Sequence, residues 1–129
     1  NVCAIYAVPY SLKYARKSGR ISAAAAFAGE LLGLKPIIEF ADNGTKTVDK
    51  IRGEKNIVPK LVDCVEKRMT PQTPYIMVHG KDITLAKEVE KELIKRTGRK
   101  AEMYNPIGAA VASNIGPDVV AVVVRRKEK

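Results

Sequence analysis

Val119-Val120-Ala121-Val122-Val123-Val124 decides the architecture. The run is unbroken β-branched and small apolar residues, with none of the polar alternation of a strand that turns one face to water. It reads as a strand in the middle of a sheet, covered on both faces. Covering both faces calls for helices as well as strands, and the rest of the chain supplies them in alternation. Just upstream, Asn114-Ile115-Gly116-Pro117 is a turn, and Asn105-Pro106-Ile107-Gly108 opens a small-residue segment leading to it. Before that, Ala101 to Tyr104 is strand-like. Tyr75 to His79 is a short apolar strand, and Gly80-Lys81-Asp82 leads into an amphipathic helix with Leu85, Ala86, Val89 and Leu93 inward and Glu92, Lys95 and Arg96 outward, closed by Thr97-Gly98.

Further back, Thr70-Pro71-Gln72-Thr73-Pro74 is a stiff connection, too short for a domain linker. A helix from Asn56 to about Met69 carries Ile57, Leu61, Val62 and Val65 on one stripe, and Pro59 is tolerated in its first turn because amides there lack intrahelical partners. Lys35 to Ala41 and Thr45 to Arg52 flank Asp42-Asn43-Gly44, a hairpin signal resting on the tolerance of Asn and Gly for positive φ. Val2 to Val8 is a buried strand ended by Pro9. Ser11 caps a short helix over Leu12 to Lys17, Ser18-Gly19 breaks it, and Ile21 to Leu32 forms an alanine-rich helix stopped by Gly33. The expected order is strand, helix pair, hairpin, helix, strand, helix, strand, short helical turn, strand: an α/β domain with a mixed sheet and helices packed on it.

The chain has 129 residues, 46% of them hydrophobic, and a net charge of +9. A chain of this length buries roughly two thirds of its unfolded surface, enough for one core without a disulfide or structural metal. The longest apolar run, Ala23 to Gly29, is far short of the ~20 residues that cross a bilayer. Cys3 and Cys64 have no CxxC spacing and His79 is the only histidine, which argues against a zinc site or a disulfide framework. The first residues open directly into a strand with no Met and no leader, so the sequence reads as a piece cut before a strand. Buried thiols without partners fit a reducing, cytoplasmic setting.

Most of the positive charge is scattered, with local groups at Lys13, Arg16, Lys17 and Arg20, at Lys46, Lys50, Arg52, Lys55 and Lys60, and at the end in Arg125, Arg126, Lys127 and Lys129. With aromatics at 5% and no Trp, base stacking has few platforms, so nucleic acid ranks below a solvated basic face or an acidic protein or phosphate partner. No nucleophile and base constellation, P-loop or metal motif is present, and the segment reads as a binder without cofactors. Asp42 and the group Glu88, Glu90 and Glu92 read as solvated surface. His79 reads first as a strand-end histidine bonded to backbone.

Gly19-Arg20-Ile21-Ser22 is more informative. An Arg at a helix start adds positive charge to an end that already carries some, an arrangement suited to an anion. Arg20, the helix amides and Ser22 form a receptor for a carboxylate or phosphate, beside a smooth helix that lines a slot for an apolar chain. Equally weighted against this, Arg20 pairs with Glu30 or an absent domain and the alanines pack on the sheet. Gly108 to Pro117 offers Ser113 and Asn114 as hydrogen-bonding groups, and its glycines serve tight packing as readily as ligand approach.

Together these residues resemble the C-terminal half of the DegV family, fatty-acid-binding proteins that present acyl chains to a fatty acid kinase. Leu12-Lys13-Tyr14-Ala15-Arg16-Lys17-Ser18-Gly19-Arg20-Ile21-Ser22 is similar to the family's Leu-x-Tyr-Leu-x-x-Gly-Gly-Arg-Ile segment. Gly33-Leu34-Lys35-Pro36-Ile37-Ile38, Lys50-Ile51-Arg52-Gly53 and His79-Gly80 resemble family segments in order and spacing. The resemblance implies that residues 1–129 form the C-terminal lipid-binding domain of a two-domain protein, with a long-chain fatty acid or related lipid held between this chain and an N-terminal domain. By position it places Arg20, Ile21 and Ala24 near the lipid and Arg52 and its neighbour Lys55 on the surface offered to the kinase. It assigns the carboxylate-binding Ser and Thr residues to the N-terminal domain. The family's final turn, His-Thr-Gly-Pro-Gly, also touches the head group; here it reads Asn114-Ile115-Gly116-Pro117-Asp118, which implies Asn114 and Gly116 at the lipid. Asn114 donates a hydrogen bond but cannot become a cation, and Asp118 adds negative charge. The rival reading is a basic protein- or nucleic-acid-interaction module without a lipid. An enzyme with all its catalytic groups in the other half ranks last.

Overall fold

The computed structural model describes residues 2–9, 34–41, 44–108 and 118–127. Among these, six strands form one mixed sheet: β1 (Val2–Pro9), β2 (Leu34–Ala41), β3 (Gly44–Arg52), β4 (Ile76–His79), β5 (Tyr104–Pro106) and β6 (Val119–Arg126), in the spatial order β3-β2-β1-β6-β4-β5. Helix α1 (Ile57–Arg68) follows a short 3-10 turn at Glu54–Asn56, and α2 (Thr84–Thr97) joins β4 to β5. The helices expected over residues 12–17 and 21–32, and the turn at 114–117, lie outside the described residues.

The valine run sits where its composition requires. β6 pairs antiparallel with β1 along its whole length, Val2 opposite Arg126 and Pro9 opposite Val119, and antiparallel with β4 on its other side. Alternation then splits its side chains between two faces. Val120, Val122 and Val124 join Ala4, Tyr6, Val8, Ile37, Met77 and the buried stripes of α1 and α2 in the main core. Val119 and Ala121 point the other way, into a smaller buried group with Ala7 that is flanked by Phe40, Val78 and Ile107. A strand serving two apolar layers has no position left for a polar residue until Arg125.

β2 and β3 form the expected hairpin. Its closing pair is Ala41 opposite Gly44, and Gly44 has φ +116°. A bulge between Ile37 and Ile38 gives β3 one extra residue. β3 is a sheet edge and is exposed along most of its length, with Ile51 buried. Its Lys50 amide, opposite Pro36, donates to Asp49 Oδ1 at 2.8 Å, so a donor on the edge is capped by the preceding side chain. The other edge is the short β5, which ends in a proline and pairs parallel to β4.

Two expectations need correction here. The strand read at Ala101 to Tyr104 begins only at Tyr104 and ends at Pro106. The Ala101 amide is taken by the Glu90 carboxylate at 2.8 Å instead of a strand, while the Glu102 amide reaches the Tyr75 carbonyl at 2.8 Å and the Met103 carbonyl accepts from the Met77 amide at 3.1 Å, so backbone pairing starts only after Ala101. Pro106 is tolerated because an edge strand needs no outward donor. The thiols are not both buried: Cys64 is buried in α1, while Cys3 is exposed, on the face of β1 turned away from the helices and opposite Arg125.

Strand directions sort the molecule into two ends. Pro9, Leu34, Arg52, His79, Pro106 and Val119 lie at one, here the Pro9 end; Val2, Ala41, Gly44, Ile76, Tyr104 and Arg126 lie at the other, the Arg126 end. At ~3.3 Å per residue the eight positions of β6 put these ends about 23 Å apart. No helix among the described residues is long and apolar enough to cross a membrane.

Candidate functional site

β1, β4 and β5 run in the same direction, and their carboxyl ends gather at the Pro9 end with the first residues of β2 and β6. The crevice outside the carboxyl ends of strands is where open α/β sheets place their ligands. Residues 10–33 link Pro9 to Leu34, and residues 107–118 link the end of β5 to the start of β6, so both connections are anchored at this end.

The floor they are anchored to is apolar and tightly tied. Pro9 is buried, Val119 is fully buried, and Ala7 and Ala121 each expose 2%. The Gly80 amide donates to the Val119 carbonyl at 3.1 Å and the Ile107 amide to the His79 carbonyl at 2.8 Å, which fixes the ends of β4, β5 and β6 against one another. His79 Nδ1 lies 2.9 Å from the Gly80 carbonyl, the backbone-bonded role expected of a strand-end histidine. Small Ala7 and Ala121 beside Phe40, Val78 and Ile107 make an apolar second face that leads up to this end.

The site residues read from the sequence divide sharply. Arg20, Ile21, Ala24, Asn114 and Gly116 lie outside the described residues, but every one belongs to a connection anchored at the Pro9 end. Arg52 is the last residue of β3, exposed, and opposite Leu34. Lys55 is exposed in the 3-10 turn that follows. The Asn56 side-chain amide donates to the Arg52 carbonyl at 2.7 Å and the Asn56 backbone amide to the Gly53 carbonyl at 3.1 Å, pinning that turn. Arg52 and Lys55 therefore stand at the same end of the sheet as both connections. Among the described residues there is no group of three or more His, Cys, Asp or Glu that could hold a metal ion.

Titratable groups at the Arg126 end are engaged in structure that was not read from the sequence. Glu39 is 2% exposed; it accepts the Tyr6 hydroxyl at 2.6 Å and faces Arg126 Nη1 at 3.5 Å and Lys46 Nζ at 3.8 Å. Burial, and then the bond to Glu39, push the Tyr6 phenol well above its ordinary pKa. Burial also raises Cys64, with Arg68 acting against it. Glu90, expected in a solvated group, is half-buried and accepts from the Ala101 amide and the Tyr104 hydroxyl, clipping α2 to the approach to β5. Burial raises the Tyr104 phenol first, then Glu90. Tyr75, whose hydroxyl donates to the Arg99 carbonyl at 2.6 Å, is pushed up to about 12 by burial and then by Glu90. The available signal for Glu39 was a carboxylate inside the apolar run Ile37-Ile38-Glu39-Phe40, which obliges a buried partner.

Comparison with known proteins finds relatives of this chain and of its fold. A family model described as an uncharacterised protein, DegV family, matches residues 2–127. A DegV domain-containing protein of Streptococcus pyogenes serotype M3 is 28% identical over 109 residues, covering 84% of this chain and 38% of that protein. One from Clostridium perfringens is 29% identical over 119 residues, covering 91% and 42%. Among solved structures, a fatty-acid-binding DegV family protein from Streptococcus agalactiae superposes with a TM-score of 0.74 at 25% identity, over 98% of this chain and 45% of that one. A stearic-acid-binding protein from Eubacterium ventriosum gives 0.74 at 22% identity, over 95% and 44%. The chain thus spans less than half the length of the relatives it matches.

Proposed function

Because the chain belongs to the DegV family, we propose that it forms one wall of a fatty-acid carrier, with the acyl carboxylate held at the Pro9 end of the sheet. The observation that carries this reading is convergence: the connection bearing Arg20, Ile21 and Ala24, the connection bearing Asn114 and Gly116, and exposed Arg52 and Lys55 all meet one end of one sheet. The solved relatives from S. agalactiae and E. ventriosum are described as fatty-acid-binding, which supports the same ligand class here.

In this reading the apolar second face supports the acyl tail, an N-terminal domain supplies the opposite wall, and Arg20 and Asn114 meet the head group. Sequestering a chain of ordinary length at ~0.8 kcal/mol per buried methylene supplies on the order of 10 kcal/mol before the costs of association, so carriage needs no catalysis by the carrier. A separate kinase in the cytoplasm phosphorylates the carboxylate, docking through Arg52 and Lys55. A kinase must reach the carboxylate, and these two cations stand at the end where it is presented.

Native mass spectrometry of the intact protein purified from cells tests the reading: a long-chain fatty acid should ride on it. Arg20→Ala should weaken fatty acid binding while leaving the thermal transition in place. Protein that carries no lipid, or an Arg20→Ala variant with unchanged affinity, removes the lipid or the arginine from the reading respectively.

A further inference from the structure

The Arg126 end of the sheet carries a chemistry that lipid binding does not use. α1 finishes there with Lys67 and Arg68 in its last turn, and β6 finishes there with Arg125 and Arg126, followed by Lys127. The two segments are joined. The Lys127 amide donates to the Arg68 carbonyl at 2.7 Å, the Thr70 amide donates to the Arg125 carbonyl at 2.7 Å, and Met69 bridges Arg126. Five basic residues are thereby fixed on neighbouring stretches of ordered backbone.

Two of the five are committed internally. Arg68 Nη1 donates to the Cys64 carbonyl at 3.3 Å and lies 3.4 Å from Cys64 Sγ, while Arg126 faces Glu39. Glu39 is also shared with Lys46 and is too deeply buried to answer anything further. Lys67, Arg125 and Lys127 are exposed, and none makes an ion pair among the described residues. The negative end of the α1 dipole amounts to about half a charge, less than one lysine supplies. Like charges held side by side repel, and an opposite charge brought by a partner removes that cost.

We propose that this end is a docking surface for an acidic segment of a protein partner. Among the described residues the patch has no exposed aromatic side chain on which a base would stack; Met69 is 3% exposed, and the part-exposed Ile5 on the face of Arg125 is a single apolar side chain, too little to anchor on a bilayer. The choice of protein over membrane also rests on the lipid reading above. A bilayer held here would sit about 23 Å from the Pro9 end, at the wrong end of the sheet to exchange a head group there, whereas a protein held here leaves that end open.

The test is fluorescence anisotropy of a labelled poly-glutamate peptide with the full chain, across a salt series. Arg125→Glu with Lys127→Glu should weaken binding by about tenfold or more, while Lys87→Glu with Lys91→Glu, the same change in charge on the exposed side of α2, should cost less than about threefold. Affinity of the unaltered chain should fall steadily as salt rises. No binding at low salt, or equal loss in the two pairs, overturns the proposal. So does tighter binding to phosphatidylglycerol vesicles or to duplex DNA, abolished by the first pair. If Arg125→Glu prevents folding, judged by circular dichroism, Lys67→Gln with Lys127→Gln takes its place and should give the larger loss against Lys87→Gln with Lys91→Gln. Fatty acid occupancy, read by native mass spectrometry on the same samples, is independent of peptide binding. Lipid retained without peptide binding sinks this proposal alone, and peptide binding without lipid sinks the carrier reading.

Discussion

At the Pro9 end the strands begin or finish in proline, leucine, arginine, valine and a backbone-bonded histidine, while toward the Arg126 end lie a buried carboxylate, the phenols of Tyr75 and Tyr104 and a row of cations. The same sheet joins both. The difference is in what the polar groups are for. Toward the Arg126 end Glu39, Glu90, Arg126 and the phenols are paired inside the molecule, and their energy goes into holding β1, β2, β6 and α2 in place, while Lys67, Arg125 and Lys127 are left exposed. At the Pro9 end the exposed cations Arg52 and Lys55 face solvent on a floor fixed mainly by bonds to backbone carbonyls, and neither makes an ion pair among the described residues.

Substitutions at the two ends should therefore separate stability from binding. The largest effect is expected from Glu39→Ala, which leaves the Tyr6 hydroxyl and Arg126 in place without their buried partner and should cost about 3–5 kcal/mol in urea unfolding. A loss under about 1 kcal/mol would mean the cluster is solvated and the contrast between the ends is shallower than drawn.

Alkaline pH probes the same end. A phenol whose folded pKa is raised keeps its full contribution below the unfolded value and loses it as the pH climbs toward the folded one. With Tyr75 moved from 10.0 to about 12, and Tyr6 and Tyr104 shifted in the same direction, stability should hold up to about pH 10 and fall steadily above it. Tyr75→Phe should shallow that fall, and an unchanged slope would remove Tyr75 from it. A smaller cost, about 1–2 kcal/mol, is expected of Tyr104→Phe, which removes one of the two donors to Glu90 and leaves the Ala101 amide in place. Smallest of all should be Arg52→Ala, within about 0.5 kcal/mol in unfolding because the side chain is exposed, yet slowing phosphorylation of the bound lipid by a kinase. An Arg52→Ala protein that unfolds early would reverse the assignment of the two ends.

How much of this was legible in the sequence follows from where each signal resides. β6, the β2–β3 hairpin, α1 and α2 were readable because each is written in a local pattern: an apolar run, an Asn-Gly turn, or a helical stripe. β5 was displaced because Glu90, far along the chain, takes the Ala101 amide that a local reading assigns to a ladder. Cys3 was misplaced for a related reason, since which strand face is covered depends on pairing with β6. Within the candidate site, Arg52 and Lys55 are legible as exposed cations, whereas their position at the same end of the sheet as Pro9 and Val119 is a matter of topology that no single segment records. Arg20, Ile21, Ala24, Asn114 and Gly116 rest on motif and on their anchoring to the sheet.

The cap that Asp49 places on the Lys50 amide reaches beyond β3. An edge donor already occupied, amid lysines and an arginine, is a poor template for another strand, and at the far side the three-residue β5 closes on proline. Copies of the domain meeting in crowded solution therefore find no ready seam along which one sheet could extend another. Amyloid-like growth is discouraged from both margins, and higher-order assembly is left to side-chain surfaces, where charge and shape choose the neighbour.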